Sequence, residues 1–103
     1  MKIEKFGVYL ADQSRPVVVV QTDLLNGIHP STIVCPMTSR VVRGLETLRV
    51  HVAGKESGLT HASDILVDQI RAIDNRRFRR RLGRLSEGSR TKLSENLHVL
   101  VLE

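Results

Sequence analysis

Short apolar runs separated by turn residues dominate the first two-thirds of this chain. Gly7–Asp12 (GVYLAD) is the first of them. Pro16–Thr22 follows, with four consecutive valines, a continuous run that suits a strand covered on both faces. Ser31–Thr38 (STIVCPMT) predicts a third strand. In Leu45–Ala53, Leu48, Val50 and Val52 alternate with Thr47, Arg49 and His51, the period of two of a half-buried strand. Ser63–Ile73 (SDILVDQIRAI) is the fifth. The connections carry turn chemistry: Asn26-Gly27, His29-Pro30, Arg43-Gly44 and the segment Gly54 to Gly58. Thr22–Asn26 predicts a single helical turn capped by Thr22 or Asp23.

Beyond Ile73 the period changes. Asp74 is placed to cap a short helix in which Phe78 and Leu82 share a face at i,i+4, ending at Gly83. Ser86 opens a last helix with Leu93, Leu97, Leu100 and Val101 as its apolar stripe. Several short strands closed by a terminal helix predict a mainly β (α+β) domain, a small barrel with helical decoration, over residues 1–103.

Composition narrows the class. Apolar residues make up 41% of the chain and charged residues 26%, which is globular chemistry rather than disorder. No apolar run approaches a membrane span and the start lacks a signal-like apolar region. Cys35, the single cysteine, can form no internal disulfide, so a reduced cytoplasm is the expected compartment. The net charge of +5 is concentrated: Arg71 to Arg84 carries seven arginines against Asp74, and the remainder is close to neutral. Such a segment fits a nucleic-acid or acidic-peptide partner, or simply a solvated face.

Four blocks carry a family resemblance. Arg15-Pro16 and the valines after it, followed by Asp23-Leu24-Leu25-Asn26, resemble the Arg-Pro strand and acidic turn of the MazF/PemK (Kid-type) toxins. Val34-Cys35-Pro36-Met37-Thr38-Ser39 is similar to the strand end of that family, and Asp68-Gln69-Ile70-Arg71-Ala72-Ile73-Asp74 to its next conserved-order block. Leu82-Gly83-Arg84-Leu85-Ser86 resembles its lead into the terminal helix. The resemblance implies an SH3-like β-barrel with short helices and a C-terminal helix, paired as a homodimer. It implies a metal-independent endoribonuclease, the toxin of a type II toxin–antitoxin system, that needs no cofactor. Single-stranded RNA would lie in a groove across the dimer and be cut by its own 2′-hydroxyl, leaving 2′,3′-cyclic phosphate and 5′-hydroxyl ends. An antitoxin would inhibit by laying an acidic C-terminal tail over the groove, and DNA would be met only through that antitoxin.

Arg15, Thr38 and Asp68 match the family's catalytic positions. The Arg15 guanidinium can grip two phosphate oxygens and meet charge growing in the transition state, but is too basic to serve as a general base. The Thr38 hydroxyl can donate to a phosphate oxygen. Asp68 can accept the 2′-hydroxyl proton if its pKa rises; other members carry Glu there, where a dimer-interface role is equally open. Ser39, Arg40, Gln69, Arg71, Arg76 and Arg77 are candidate RNA contacts, Gln69 and Arg71 as groove floor or interface. The basic segment could equally attract the antitoxin tail. His29, His51, His61 and His98 show no paired spacing, and none makes a metal-ligand pattern with Cys35, so each is expected to be structural or solvated.

The chain departs from the family in two places. Only Gln13 and Ser14 separate Asp12 from Arg15, where members have a longer Gly- and Glu/Gln-rich loop that carries a histidine in Kid-type toxins. Leu66 stands where Kid-type members have arginine. Two other readings compete. A CcdB-type gyrase poison has the same barrel but ends Trp-Gly-Ile, whereas this chain has no Trp and ends Leu100-Val101-Leu102-Glu103. A non-catalytic RNA- or peptide-binding SH3-like module is allowed by the fold but has no use for Arg15 and Thr38 at one phosphate site.

Overall fold

The first strand β1 (Gly7–Ala11) turns through Asp12, Gln13 and Ser14 directly into β2 (Arg15–Val19). Asp12 makes the tight reversal in the left-handed region, at φ 55°. The computed structural model describes residues Met1–Glu103. Next come β3 (Ser31–Thr38), β4 (Arg49–Val52), β5 (Ser63–Leu66), β6 (Arg71–Asp74) and β7 (Phe78–Arg84), then one helix, α1 (Glu87–Leu97). All pairings are antiparallel, in the order β4-β5-β3-β2-β1-β7, with β6 on the first half of β3. β4 and β7 do not pair, so the curved sheet stays open where the expected barrel would close.

Both faces of the sheet are covered, as the valine run predicts. Val18 packs with Val8, Cys35, Met37, Val50, Val52, Ile65, Val67, Leu85 and Leu93 on one face. Val17 and Val19 pack with Tyr9, Ala11, Val34, Ile73 and Phe78 on the other. Each fully buried side chain of this size contributes about 1.5–3 kcal/mol. The Tyr9 ring meets Phe78 edge-on, 5.4 Å between centroids, and Arg81 lies over it at 5.8 Å. Its hydroxyl donates to the Lys2 carbonyl and accepts from the Glu4 N–H, so the polar tip is satisfied and the N-terminal segment is tied down.

Three expected elements are revised. Ser63–Ile73 is not one strand: Val67–Gln69 forms a 3-10 turn between β5 and β6. Both flanks pair with β3, but Thr38 opposes Asp64 while Val34 opposes Arg71. An advance of four residues along β3 is therefore matched by seven along its partner, and the surplus is extruded as the turn. The expected helix from Asp74 to Gly83 is a strand. Asp74 does cap, its carboxylate accepting from the Arg76 N–H at 2.8 Å, but the turn lasts only Asn75–Arg77. Phe78 and Leu82 then sit on β7 along β1, where irregularities in the pairing turn them to opposite faces, Phe78 beside Tyr9 and Leu82 against the core of Val8 and Val18. Leu45–Ala53 is strand only over Arg49–Val52, because Leu48 and Arg49 both turn back to donate to the Leu45 carbonyl.

The last helix begins as expected, the Ser86 hydroxyl accepting from the Ser89 N–H. Leu93 is fully buried and Leu97 half-buried, but Leu100 and Val101 are exposed on the π-turn His98–Leu102. Its N-terminus is clamped to the 3-10 turn Gly54–Ser57 by Glu56, whose carboxylate accepts from the Ser86 and Ser89 hydroxyls. That turn ends at Gly58 (φ 77°), packed against the Leu82 carbonyl of β7.

Candidate active site

β3 runs between β2 and β5, so the start of β2 and the end of β3 come together. Val17 opposes Pro36, and the same register carried back sets Arg15 opposite Thr38. On the other flank Thr38 opposes Asp64 of β5. Over this corner lies an open cleft of about 490 Å³. Arg15, Thr38, Ser39, Gln69 and Arg71 line it together with Ser14, Pro16, Pro36 and Met37. The segment Leu59, Thr60, His61 and Ser63 forms the facing wall, and Leu66 completes the lining.

The charge in this cleft is of one sign. Arg15 and Arg71 line it, neither engaged in a salt bridge, and no carboxylate does. The Thr38 Oγ1 accepts from the Arg40 N–H at 3.1 Å, which leaves its own proton free to donate into the cleft. Two fixed cations and a set of hydroxyl and amide donors can hold a phosphodiester and meet charge that develops on its oxygens.

Of the residues expected from sequence, the cleft gathers Arg15, Thr38, Ser39, Gln69 and Arg71. Asp68, on the 3-10 turn before β6, is exposed and does not line it. Arg40 lies just outside, its carbonyl accepting from Arg49 Nη1. Arg76 is paired with Asp74 at 3.0 Å and points to solvent. Arg77 is ion-paired to Asp12, with Nε 2.9 Å from Oδ1. This contact holds the Asp12 carboxyl below, and the Arg77 guanidinium above, their ordinary pKa. A second hollow, bounded by Asp12, Gln13, Ser14, Arg15, Arg77 and Arg79, opens on the far side of Arg15. Arg79 donates from Nε to the Asp12 carbonyl at 2.9 Å, bracing the short β1–β2 turn that leaves Arg15 open to both hollows.

Sequence reasoning missed the wall Leu59–Ser63, because its placement depends on pairing partners far along the chain. It also missed Asp64, which is buried beneath the site. One Asp64 oxygen accepts from the Val42 N–H (3.2 Å) and Arg49 (3.3 Å), and the other meets His51 Nδ1 at 3.2 Å. These bonds tie the segment after Thr38 to β4 and β5. Cys35 is the buried hydrophobe expected: burial foremost, then the charge of Asp68, pushes its thiol up to about 12. No cluster of three or more His, Cys, Asp or Glu side chains suited to a metal ion is present.

Comparisons with known proteins place the chain in a family. A family model for the PemK-like, MazF-like toxin of type II toxin–antitoxin systems matches residues 6–101. Endoribonuclease EndoA of Bacillus subtilis is 30% identical over 109 residues, covering 96% of this chain and 94% of its own. The Mycobacterium tuberculosis toxin MazF-mt6 superposes with a TM-score of 0.81 at 25% identity, over 91% of this chain and 94% of that one. A chain of a MazE–MazF crystal structure from Deinococcus radiodurans has a TM-score of 0.82 at 20% identity, over 98% of this chain and 97% of that one, and shares the fold. No helix is long and apolar enough to cross a membrane. The match of family model, curated relative and fold over nearly the full length shows that the chain belongs to the PemK-like, MazF-like toxins of type II toxin–antitoxin systems.

Proposed function

We propose that this toxin is a metal-independent endoribonuclease of the cytoplasm that cuts single-stranded RNA by internal transesterification. The observation that carries the reading is the pairing of Arg15 and Thr38 in one cationic cleft without a carboxylate. An RNA phosphate bound there has its negative charge met by Arg15 and Arg71, while the Thr38 hydroxyl donates to an equatorial oxygen. Attack of the 2′-oxygen on phosphorus forms the 2′,3′-cyclic phosphate and expels the 5′-oxygen, which leaves as a hydroxyl. Holding the ribose in line supplies much of the acceleration. Ser39, Gln69 and Arg71 extend the contact along the strand.

The unit of action is a homodimer, and the partner that silences it is an antitoxin with an acidic tail. Both readings are supported by surface chemistry. Leu24 (81%), Ile28 (80%) and Leu102 (75%) are apolar side chains left largely in solvent by a single chain. The cleft and the second hollow offer Arg15, Arg71 and Arg79 to an acidic segment as readily as to RNA. Full-length protein incubated with a long unstructured RNA in EDTA tests the activity. Wild type is expected to leave cyclic-phosphate ends, with Arg15→Ala and Thr38→Ala slower by about 10²–10³-fold. Absence of cleavage by folded, dimeric wild type would leave a toxin relative that only binds.

A further inference from the structure

Cleavage by the 2′-hydroxyl needs a group that takes its proton, and neither Arg15 nor Thr38 is suited to that task. Arg15 and Arg71 stay charged, while Ser14, Thr38, Ser39, Ser63 and Gln69 do not accept protons near neutral pH. Asp68 stands outside the cleft, and Asp64 lies buried under it, bonded to Val42, Arg49 and His51. That leaves one lining side chain of a type that changes charge close to pH 7, the imidazole of His61.

His61 is also placed and held. It precedes β5, which flanks β3 on the side away from β2, so His61 and Arg15 approach the Thr38 corner from opposite sides. An in-line displacement has this symmetry: the attacking and leaving oxygens lie on opposite sides of phosphorus, with the equatorial oxygens between them. The backbone of His61 is gripped twice. The Ser63 hydroxyl donates to its carbonyl at 3.2 Å, and Gly54 packs so closely that a Cβ there would stand 2.8 Å from the His61 carbonyl carbon. The side chain itself is open to solvent, a route for returning its proton.

Resting on the ribonuclease reading, we propose that His61 is the general base of this toxin. A ring nitrogen takes the proton from the 2′-hydroxyl as the O2′–P bond forms and the P–O5′ bond breaks. The 5′-oxygen takes a proton from water on the Arg15 side, and the imidazolium then returns its proton to solvent. The charged groups that face His61 across the cleft are Arg15 on β2 and Arg71 on β6.

The test is single-turnover cleavage of RNA in EDTA between about pH 5 and 9, where imidazoles titrate. His61→Gln is expected to slow cleavage by about 10²–10⁴-fold and to lose the acid limb of the wild-type profile. His61→Ala is expected to recover rate in proportion to added imidazole. Gly54→Ala, which keeps the imidazole but displaces it, is expected to lower the rate and retain the acid limb. Binding of a 2′-deoxy substitute for the cleaved RNA should stay within about threefold of wild type in all of them, as a base that adds little ground-state binding requires. An unchanged rate and profile in His61→Gln, or a loss matched by equally weakened binding and not rescued by imidazole, overturns the assignment alone. An inert wild type overturns the assignment together with the ribonuclease reading.

Discussion

Gly58→Ala should be among the most damaging single-methyl changes possible in this protein. Gly58 sits at φ 77° at the end of the 3-10 turn Gly54–Ser57. A Cβ built there lies 1.9 Å from the Leu82 carbonyl oxygen and 2.7 Å from its carbon. Carbon–oxygen contacts settle at about 3.3–3.6 Å, so the turn would have to withdraw from β7 by more than an ångström. The left-handed backbone costs about 1–2 kcal/mol for alanine, and forced separation of a packed contact about 1–3 kcal/mol more. Withdrawal also pulls Glu56 from the Ser86 and Ser89 hydroxyls at the start of α1. The total is about 2–5 kcal/mol, on the order of 10–20 °C in Tm for a chain of this size. Gly27→Ala is the control, because it shares a positive φ (83°) but has nothing within 4 Å of its added Cβ. It should carry the backbone cost alone. Urea and thermal unfolding of both variants, followed by far-UV circular dichroism, separates the two contributions. Equal destabilisation of Gly58→Ala and Gly27→Ala would refute the argument from close packing.

Other outcomes are equally open to measurement. Leu93→Ala empties a fully buried position where α1 meets the core and should cost about 2–5 kcal/mol in the urea midpoint; a loss below about 1 kcal/mol would mean that α1 is not anchored there. Asp64→Asn removes the charge that holds Arg49 and weakens the acceptor of the Val42 N–H, so hydrogen exchange at Val42 should quicken; unaltered protection would show the loop is held elsewhere. Four carboxyls are held below their ordinary pKa: Asp12 by hydrogen bonds from Arg77, Asp23 by the Lys5 N–H and Asn26, and Asp74 by Arg76. In Glu56, burial pulls upward but the Ser86 and Ser89 hydroxyls outweigh it. Each lowered pKa contributes stability that is complete above the unfolded-state value and lost as pH falls through the folded one. Unfolding midpoints should therefore hold near neutral pH and fall below about pH 4–5; a flat midpoint down to about pH 3 would contradict those shifts.

Much of the placement of strands along the chain was legible in the sequence, because periodicity is a local signal. Ser31–Thr38 kept its bounds, and the valine run proved buried on both faces because β2 lies inside the sheet. The errors came where pairing at a distance decided the outcome. Arg79, Arg80 and Arg81 carry no period of their own, and β1, some seventy residues earlier, made them a strand. The break at Val67–Gln69 is invisible in SDILVDQIRAI because it arises from the mismatch of two registers on β3. The site divides in the same way. Arg15, Thr38, Ser39, Gln69 and Arg71 announced themselves by motif. His61 has no motif, and only the path of the chain over Gly54 delivers it to the cleft.

The setting of Tyr9 equips this protein with its own optical probe. The chain has no tryptophan and no other tyrosine, so excitation at wavelengths beyond the absorption of Phe6 and Phe78 draws emission from one ring. That ring is buried on β1 between Phe78 and Arg81 of β7, and its hydroxyl is bonded to the Lys2 and Glu4 backbone. Its signal therefore reports on a single event, the docking of the N-terminal segment and β7 onto β1, without a label and without interference from elsewhere in the chain. An RNA or antitoxin ligand free of tyrosine and tryptophan could be titrated against it directly. Any change in emission would then localise to the strand that presents Arg79 beside Arg15.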